Sequence, residues 1–243
     1  MLSRFRRCGS ENMSSQYAIM DLRNNDDTLS RRGDNMRLII ARPSPYSRKV
    51  RVAMLEKGCD CELVIDNPWL SETRVAEANP LGKVPALLLD DGTVVHDSRV
   101  IIEYLETLGM PPVLVPDEPR QHIAHKQIEA IADGVCDAVV QIVIEGTRPA
   151  DKRSDVWLMR QRKKVIGGIA ELERLLDGGE TFTECGFGLA EIATICALDY
   201  VDLRYPDYQW RGHAPGLLDL YERLSARPSF ANTRPQPQPL PGL

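Results

Sequence analysis

The apolar pattern of this chain changes period once, and the change falls on a stretch broken by prolines. From Met36 to Met110, short apolar runs alternate with helical segments; beyond Pro119, apolar residues recur at helical spacing. A chain read this way builds two adjoining units, the first mixed α/β and the second all helical. Between them, residues 111–119 carry Pro111, Pro112, Pro116 and Pro119 and read as a linker.

Structured sequence opens with Leu38-Ile39-Ile40-Ala41, an apolar run stopped by Pro43 and hence a buried strand. Ser44-Pro45 then reads as a helix cap followed by proline at the first helical position. Val50, Met54 and Leu55 continue that helix, and Gly58 ends it. Glu62 to Asp66 reads as a second strand. After an irregular stretch through Trp69, Pro85 to Leu89 and Thr93 to His96 form a hairpin around Asp90-Asp91-Gly92. A helix follows from Ser98 on Ile101, Ile102 and Leu105. Strand, helix, strand, linker, hairpin, helix is the order of a thioredoxin-like domain over residues 36–110.

The second unit, 120–228, shows four apolar stripes. They run through Ile128, Ile131, Val135, Val139 and Ile142; through Leu158, Val165, Ile169, Leu172 and Leu176; through Leu189, Ile192, Cys196 and Tyr200; and through Leu217, Tyr221 and Leu224. They predict an all-α helical bundle that needs no cofactor to explain its core. Residues 1–35 lack apolar periodicity and read as a disordered extension, with an organelle-targeting segment and a functional start at Met36 as the alternatives. Residues 229–243 contain Arg234-Pro235-Gln236-Pro237-Gln238-Pro239 and read as an extended, solvated, proline-rich tail.

A formal net charge of −5 argues against a general nucleic-acid binder. No apolar run reaches the roughly 20 residues that cross a bilayer as a helix. The 6 cysteines include no C-x-x-C pair and read as reduced thiols of a cytoplasmic protein. His122 and His125 have no ligand-spaced Cys or carboxylate beside them, so they read as surface residues and no metal site is expected.

Three features carry chemistry. Ser44 stands where the first strand hands over to the first helix, a place where unpaired N–H groups stabilise an anion or a thiolate. With no cysteine there, any sulfur must come from a ligand, and Ser44 is either its hydrogen-bond donor or simply a helix cap. The second is Val84-Pro85, reached through Asn79-Pro80-Leu81-Gly82-Lys83. Proline at a strand start turns the backbone of the preceding residue outward, free to pair with an extended peptide, unless it marks an ordinary turn. The third is Asp97-Ser98. It suits the ammonium and carboxylate of an α-amino-acid end, and serves equally as a cap.

In this order and spacing the chain resembles the cytosolic glutathione S-transferases. A serine at the first strand–helix junction, the run Asn79-Pro80-Leu81-Gly82-Lys83-Val84-Pro85, and Asp97-Ser98 before a helix carry the likeness from Met36 to about Arg234. The segment Ser44-Pro45-Tyr46-Ser47-Arg48-Lys49-Val50-Arg51 is similar to the first-helix motif of bacterial serine-type and zeta-like classes. Gly186-Phe187-Gly188-Leu189-Ala190-Glu191-Ile192 resembles the family's capping box and hydrophobic staple. Gly188 and Glu191 stand there for the usual Ser or Thr and Asp, a departure that predicts a weakened cap.

The resemblance implies roles for these residues. Ser44 activates the glutathione sulfur, Val84 pairs with the tripeptide backbone beside a cis Pro85, Asp97 and Ser98 hold the γ-glutamyl end, and Lys83 reaches the glycine carboxylate. Tyr46, Asp133 and Asp137 are candidates for the wall facing a second, electrophilic and mostly apolar substrate. No cofactor beyond glutathione as co-substrate is implied, and a homodimer is. The alternative is an interaction module that keeps the fold without turnover. A glutaredoxin-like thiol–disulfide enzyme is disfavoured, because Ser44 stands where its nucleophilic cysteine belongs.

Overall fold

The computed structural model describes residues 36–177 and 186–240. The expected disorder of residues 1–35 lies outside the described residues. Strand β1 (Arg37–Ile40) is central: it pairs in parallel with β2 (Glu62–Ile65) and antiparallel with β3 (Ala86–Leu88), which pairs with β4 (Val94–Val95). The sheet order is β2-β1-β3-β4. A parallel β1–β2 pair requires a crossover, and α1 (Pro45–Lys57) supplies it.

Helix α1 begins at Ser44 with Pro45 in its first turn and ends at Gly58, whose φ of 63° is left-handed. The amide of Cys59 reaches back to the Met54 carbonyl at 2.9 Å, closing the helix end. A one-turn helix, α2 (Val75–Ala78), precedes β3, and α3 (Ser98–Thr107) follows β4 on a cap made by Asp97. Ile101, Ile102 and Leu105 of α3 and Val50, Val52 and Met54 of α1 are buried against the sheet face.

The helical unit consists, among the described residues, of α4 (Pro119–Thr147), α5 (Asp155–Asp177), α6 (Leu189–Arg204), α7 (Pro215–Ser225) and the single turn α8 (Pro228–Ala231). The predicted stripes face inward at Ile128, Val135, Val139, Val165, Ile169, Leu172, Ile192 and Leu217, which are buried, while Ile131, Ile142, Leu158, Leu176 and Tyr221 are half-buried. Helix α6 is buried along most of its length, as a helix at the centre of a bundle must be. The proline stretch between the units is fastened rather than loose. Leu114 and Val115 are buried, and Lys57 Nζ donates to the carbonyls of Met110 and Pro112 at 2.8 and 2.9 Å.

Two adjacent basic residues of α1 tie the units together. Arg48, 2% exposed, bonds Asp199 of α6 and the Phe230 carbonyl. Lys49, 1% exposed, places its ammonium 2.8 Å from Glu129 and 2.9 Å from Asp133, both on α4. Burial opposes the Lys49 charge, but the Asp133 and Glu129 carboxylates outweigh it and hold its pKa above the ordinary lysine value.

Three expectations need correction. His125 is no surface residue; at 3% exposure it packs from α4 against the start of α6, and burial and then the neighbouring His122 lower its pKa. The 229–243 segment is not a plain solvated tail. Ser229, Phe230 and Thr233 are buried, because the Arg48 guanidinium and the aromatic core give them partners. Beyond them the chain docks on the thioredoxin-like unit: Gln236 and Gln238 accept from Arg42, and the Pro239 carbonyl accepts from Asn67 at 2.9 Å.

The third correction concerns Gly188. A Cβ there would sit 2.6 Å from the Leu114 carbonyl oxygen, which itself accepts from the Leu189 amide at 2.8 Å. Only glycine lets the linker approach this closely, so its missing side chain is required by packing rather than being a defect of the cap. The other half of the box is intact, since Glu191 accepts from the Gly188 amide at 2.8 Å.

Burial pushes the Glu191 carboxyl up to about 7 despite its own and the Gly188 amide donors. The folded state therefore keeps a proton that the unfolded chain has lost between about pH 4.5 and pH 7, and stability falls as pH rises through that window. Glu191→Gln retains an acceptor for the Gly188 amide and removes the titration. Its Tm relative to the unmodified chain should rise by several degrees between about pH 5 and pH 8; parallel Tm profiles would place the carboxyl's titration elsewhere. For α1, Lys49→Met removes the buried cation that two carboxylates share, leaving Glu129 with Lys126 and Asp133 with Arg99. It should lower the unfolding free energy by about 3–5 kcal/mol in urea titrations, and a loss below about 1 kcal/mol would contradict the burial of the network.

Candidate functional site

A cleft of about 700 Å³ lies along the edge where β1, β3 and β4 give way to helices, with α4 and α6 opposite. Every residue singled out in the sequence lines it. Ser44, Lys83, Val84, Pro85, Asp97 and Ser98 come from the thioredoxin-like side, with Tyr46 at the head of α1 and Asp133 and Asp137 on the α4 wall.

Ser44 leaves β1 in an extended conformation, with φ of −66° and ψ of 119°, and starts α1. Its Oγ accepts from the Ser47 amide at 3.1 Å. A hydroxyl that accepts through a lone pair still has its own hydrogen to donate, so the cap and the donor roles are compatible. Pro45 has no N–H and the cap uses the Ser47 amide, which leaves the Tyr46 amide of the first turn at the same place.

The Val84–Pro85 bond is cis, as the resemblance implied. The β1–β3 ladder ends at the Ile39–Ala86 pair, so Val84 lies beyond the sheet's paired register, on the cleft rim. Its approach is fixed by Asn79, 1% exposed, whose side chain donates to the Lys83 carbonyl at 2.8 Å and accepts from the Leu81 amide at 3.0 Å. Gly82 takes φ of 61° in that turn, a conformation glycine adopts without strain. Lys83 is exposed.

Asp97 is exposed and caps α3 by accepting from the Arg99 amide at 3.0 Å, while Ser98 is buried behind it. Arg99 turns its side chain to Asp133 at 2.8 Å. Asp133 thus meets both Lys49 and Arg99, and its carboxylate is committed to fastening α1 and α3 onto α4. The Tyr46 hydroxyl donates to Asp137. Burial first, then the nearby Cys136 and Asp137, raises the Tyr46 pKa, so its phenol stays protonated and is no competitor of Ser44.

Sequence reasoning missed several parts of this cleft. Lys49 was quoted only within a motif, although a lysine one turn into an otherwise buried helix calls for acidic partners. Trp69 was read as part of an irregular stretch, yet it lines the cleft beside Pro68. Val140, Val143 and Ile144 of α4 and Tyr200 and Arg204 of α6 complete the helical wall. Leu240, carried by the docked tail, closes one side.

Comparison with known proteins agrees with this architecture. Residues 43–108 match the model of the glutathione S-transferase N-terminal domain, and residues 150–223 that of the C-terminal domain. The chain is 38% identical over 200 residues to an uncharacterized GST-like protein, YibF, of Escherichia coli (strain K12), an alignment covering 82% of this chain and 98% of that protein. Among solved structures, a glutathione S-transferase of Methylobacterium radiotolerans in complex with glutathione sulfonate is 43% identical. It superposes with a TM-score of 0.80 over 85% of this chain and 98% of its own. A glutathione transferase family member of Pseudomonas fluorescens Pf-5 with bound S-(propanoic acid)-glutathione is 36% identical, with a TM-score of 0.73 over 83% of this chain and 100% of its own. With both domain models matched in order on a fold built as their family builds it, this chain belongs to the glutathione S-transferases.

Proposed function

We propose that the cleft binds glutathione and that the chain catalyses attack of the glutathione thiol on a small electrophile with a mostly apolar body. The observation that carries this reading is the meeting of Ser44, Val84–cis-Pro85 and Asp97–Ser98 in one cleft. In this reading the cysteinyl backbone pairs with Val84, the γ-glutamyl end lies at Asp97 and Ser98, and Lys83 takes the glycine carboxylate. The relatives crystallised with glutathione sulfonate and S-(propanoic acid)-glutathione support the assignment. Dimerisation and residence in the cytoplasm belong to the same proposal, on the family's pattern.

The chemistry follows from where the sulfur would sit. A free thiol is only a few per cent ionised near neutral pH, yet its thiolate is a strong nucleophile. The start of α1 offers the Tyr46 amide and a partial positive charge of roughly half a unit, and Ser44 adds a hydroxyl donor. Lowering the thiol pKa by about two units requires roughly 1.4 kcal/mol per unit, which a helix terminus and one charge-assisted hydrogen bond together can supply. The thiol's proton goes to solvent and the thiolate attacks an electrophilic carbon against the α4 wall; as the C–S bond forms, the electron pair of the broken bond leaves with the displaced group or moves into a conjugated acceptor that takes a proton from water.

Two measurements test this. The unmodified chain should be retained on immobilised glutathione and released by the free tripeptide; failure to bind would leave the non-catalytic interaction module as the better reading. Ser44→Ala should lower kcat with a chlorodinitrobenzene by about 10- to 100-fold, with glutathione Kd changed by less than about threefold. The ultraviolet absorbance of the bound thiolate should titrate at higher pH in that variant, a shift that loss of a cap alone does not cause. Unchanged kinetics and titration would remove Ser44 from the mechanism.

A further inference from the structure

Four sulfur side chains gather at the end of α1 that lies away from the cleft. Cys59 and Cys61 stand two residues apart between α1 and β2, Met54 belongs to the last turn of α1, and Met110 follows α3. None of them lines the cleft. The 13 residues of α1, rising about 1.5 Å each, set its two ends about 20 Å apart, with Ser44 at one and the sulfurs at the other. The Cys59 thiol donates to Met110 Sδ at 3.6 Å, and the Cys61 thiol to Met54 Sδ at 3.7 Å. Both pairs are fastened to one helix end, because the Cys59 amide holds the Met54 carbonyl at 2.9 Å. The two thiols also lie close enough for Cys59 to act on the charge of Cys61. Met54 and Cys59 are buried while Cys61 and Met110 are half-buried, so the group is sheltered yet reachable from solvent.

A donor set made only of sulfur has a chemical preference. Thiolates and thioethers are soft ligands that select soft cations such as Cu(I). Structural zinc takes four thiolates or imidazoles, and among the described residues no three His, Cys, Asp or Glu side chains gather into a metal set. With a metal–sulfur bond of about 2.3 Å, two sulfurs on one trigonal or tetrahedral ion stand roughly 3.8–4.0 Å apart. Each thiol–thioether pair is already within a few tenths of an ångström of that spacing. Burial favours the protonated thiols and pushes Cys61 up to about 11, while Lys57 beside Cys59 and Arg51 beside Cys61 favour the thiolates. The same two cations face any negative charge that builds up on the sulfurs.

We propose that Cys59, Cys61, Met54 and Met110 bind one soft monovalent cation, Cu(I) or Ag(I), through two thiolates and two thioethers. Each S–H proton leaves for solvent as its metal–sulfur bond forms, and no electron is transferred. The complex carries one negative charge, which Arg51 and Lys57 offset. It goes beyond the reading of the cleft and does not depend on it, since the two places share no residue.

Competition of the reduced full chain against the coloured Cu(I)–bicinchoninate complex under argon tests the proposal. Cys8→Ser and Cys185→Ser form the background, so that thiols elsewhere in the chain do not contribute. The chain should withdraw about one equivalent of Cu(I), with a thiolate-to-copper absorbance appearing in the ultraviolet, and Zn(II) should bind at least about 100-fold more weakly. Cys59→Ser and Cys61→Ser should each weaken Cu(I) binding by about 100-fold or more, and Met110→Leu, which conserves volume, by about 10-fold. Ag(I) should raise the Tm of the background chain and leave that of Cys61→Ser unchanged. Failure to withdraw Cu(I), equal affinity for Zn(II), or binding unchanged in the cysteine variants or in Met110→Leu overturns the assignment. Should Cys59→Ser fail to fold, Cys61→Ser and Met110→Leu decide.

Discussion

An ammonium group removed from water needs anionic partners at contact distance, and Lys49 finds both of its partners on a different helix. That constraint organises the site. Helix α1 carries Ser44 at its start, and Lys49 holds α1 against α4 at Glu129 and Asp133. Asp133 also receives Arg99, two residues beyond Asp97, so one carboxylate positions the beginnings of both α1 and α3. Those are the two helix starts that open on the cleft. A shift of α4 along its axis would carry both with it.

Buried ion pairs of this kind add little net stability compared with apolar residues of the same shape, because desolvation offsets most of the attraction. What they do supply is a steep dependence on geometry: an apolar contact tolerates sliding, whereas two cations at one carboxylate do not. Arg48 repeats the device one residue earlier, toward Asp199 and the Phe230 carbonyl. Helix α1 is thus clamped from two directions by neighbouring residues of its own sequence, and its N-terminal amides are aimed accordingly.

The elements that obey local rules were legible in the sequence. Ser44-Pro45 and Gly58 bound α1, Asp90-Asp91-Gly92 turns the hairpin, and Asp97 caps α3, each because a short segment determines its own backbone. The peptide-facing half of the cleft is made of those same segments, so its residues could be named from their order alone. The helical wall is different. Arg204 and Tyr200 reach the cleft only because α6 lies across from β3, and nothing within α6 marks them out from other residues of an amphipathic pattern. His125 and Gly188 failed for the same reason: Gly188 meets a linker carbonyl and His125 meets Gly188, contacts between segments far apart in the chain. Proline-rich composition misled at the tail. It predicts an extended backbone correctly but says nothing about whether glutamine side chains will find an arginine to hold them.

That docked segment has a consequence for how such a protein changes over time. Residues 234–240 contribute little to either core, yet Leu240 forms part of the lining of the cleft. Substitutions in the core are constrained by packing and by the charged clamps of α1, and those at Ser44 or Pro85 by the cap and the turn these residues make. A surface strand held by a few side-chain hydrogen bonds carries neither constraint. The part of the molecule freest to vary is therefore also a part that shapes the cleft, so the cleft's outline can drift while the scaffold and the Ser44 end stay as they are.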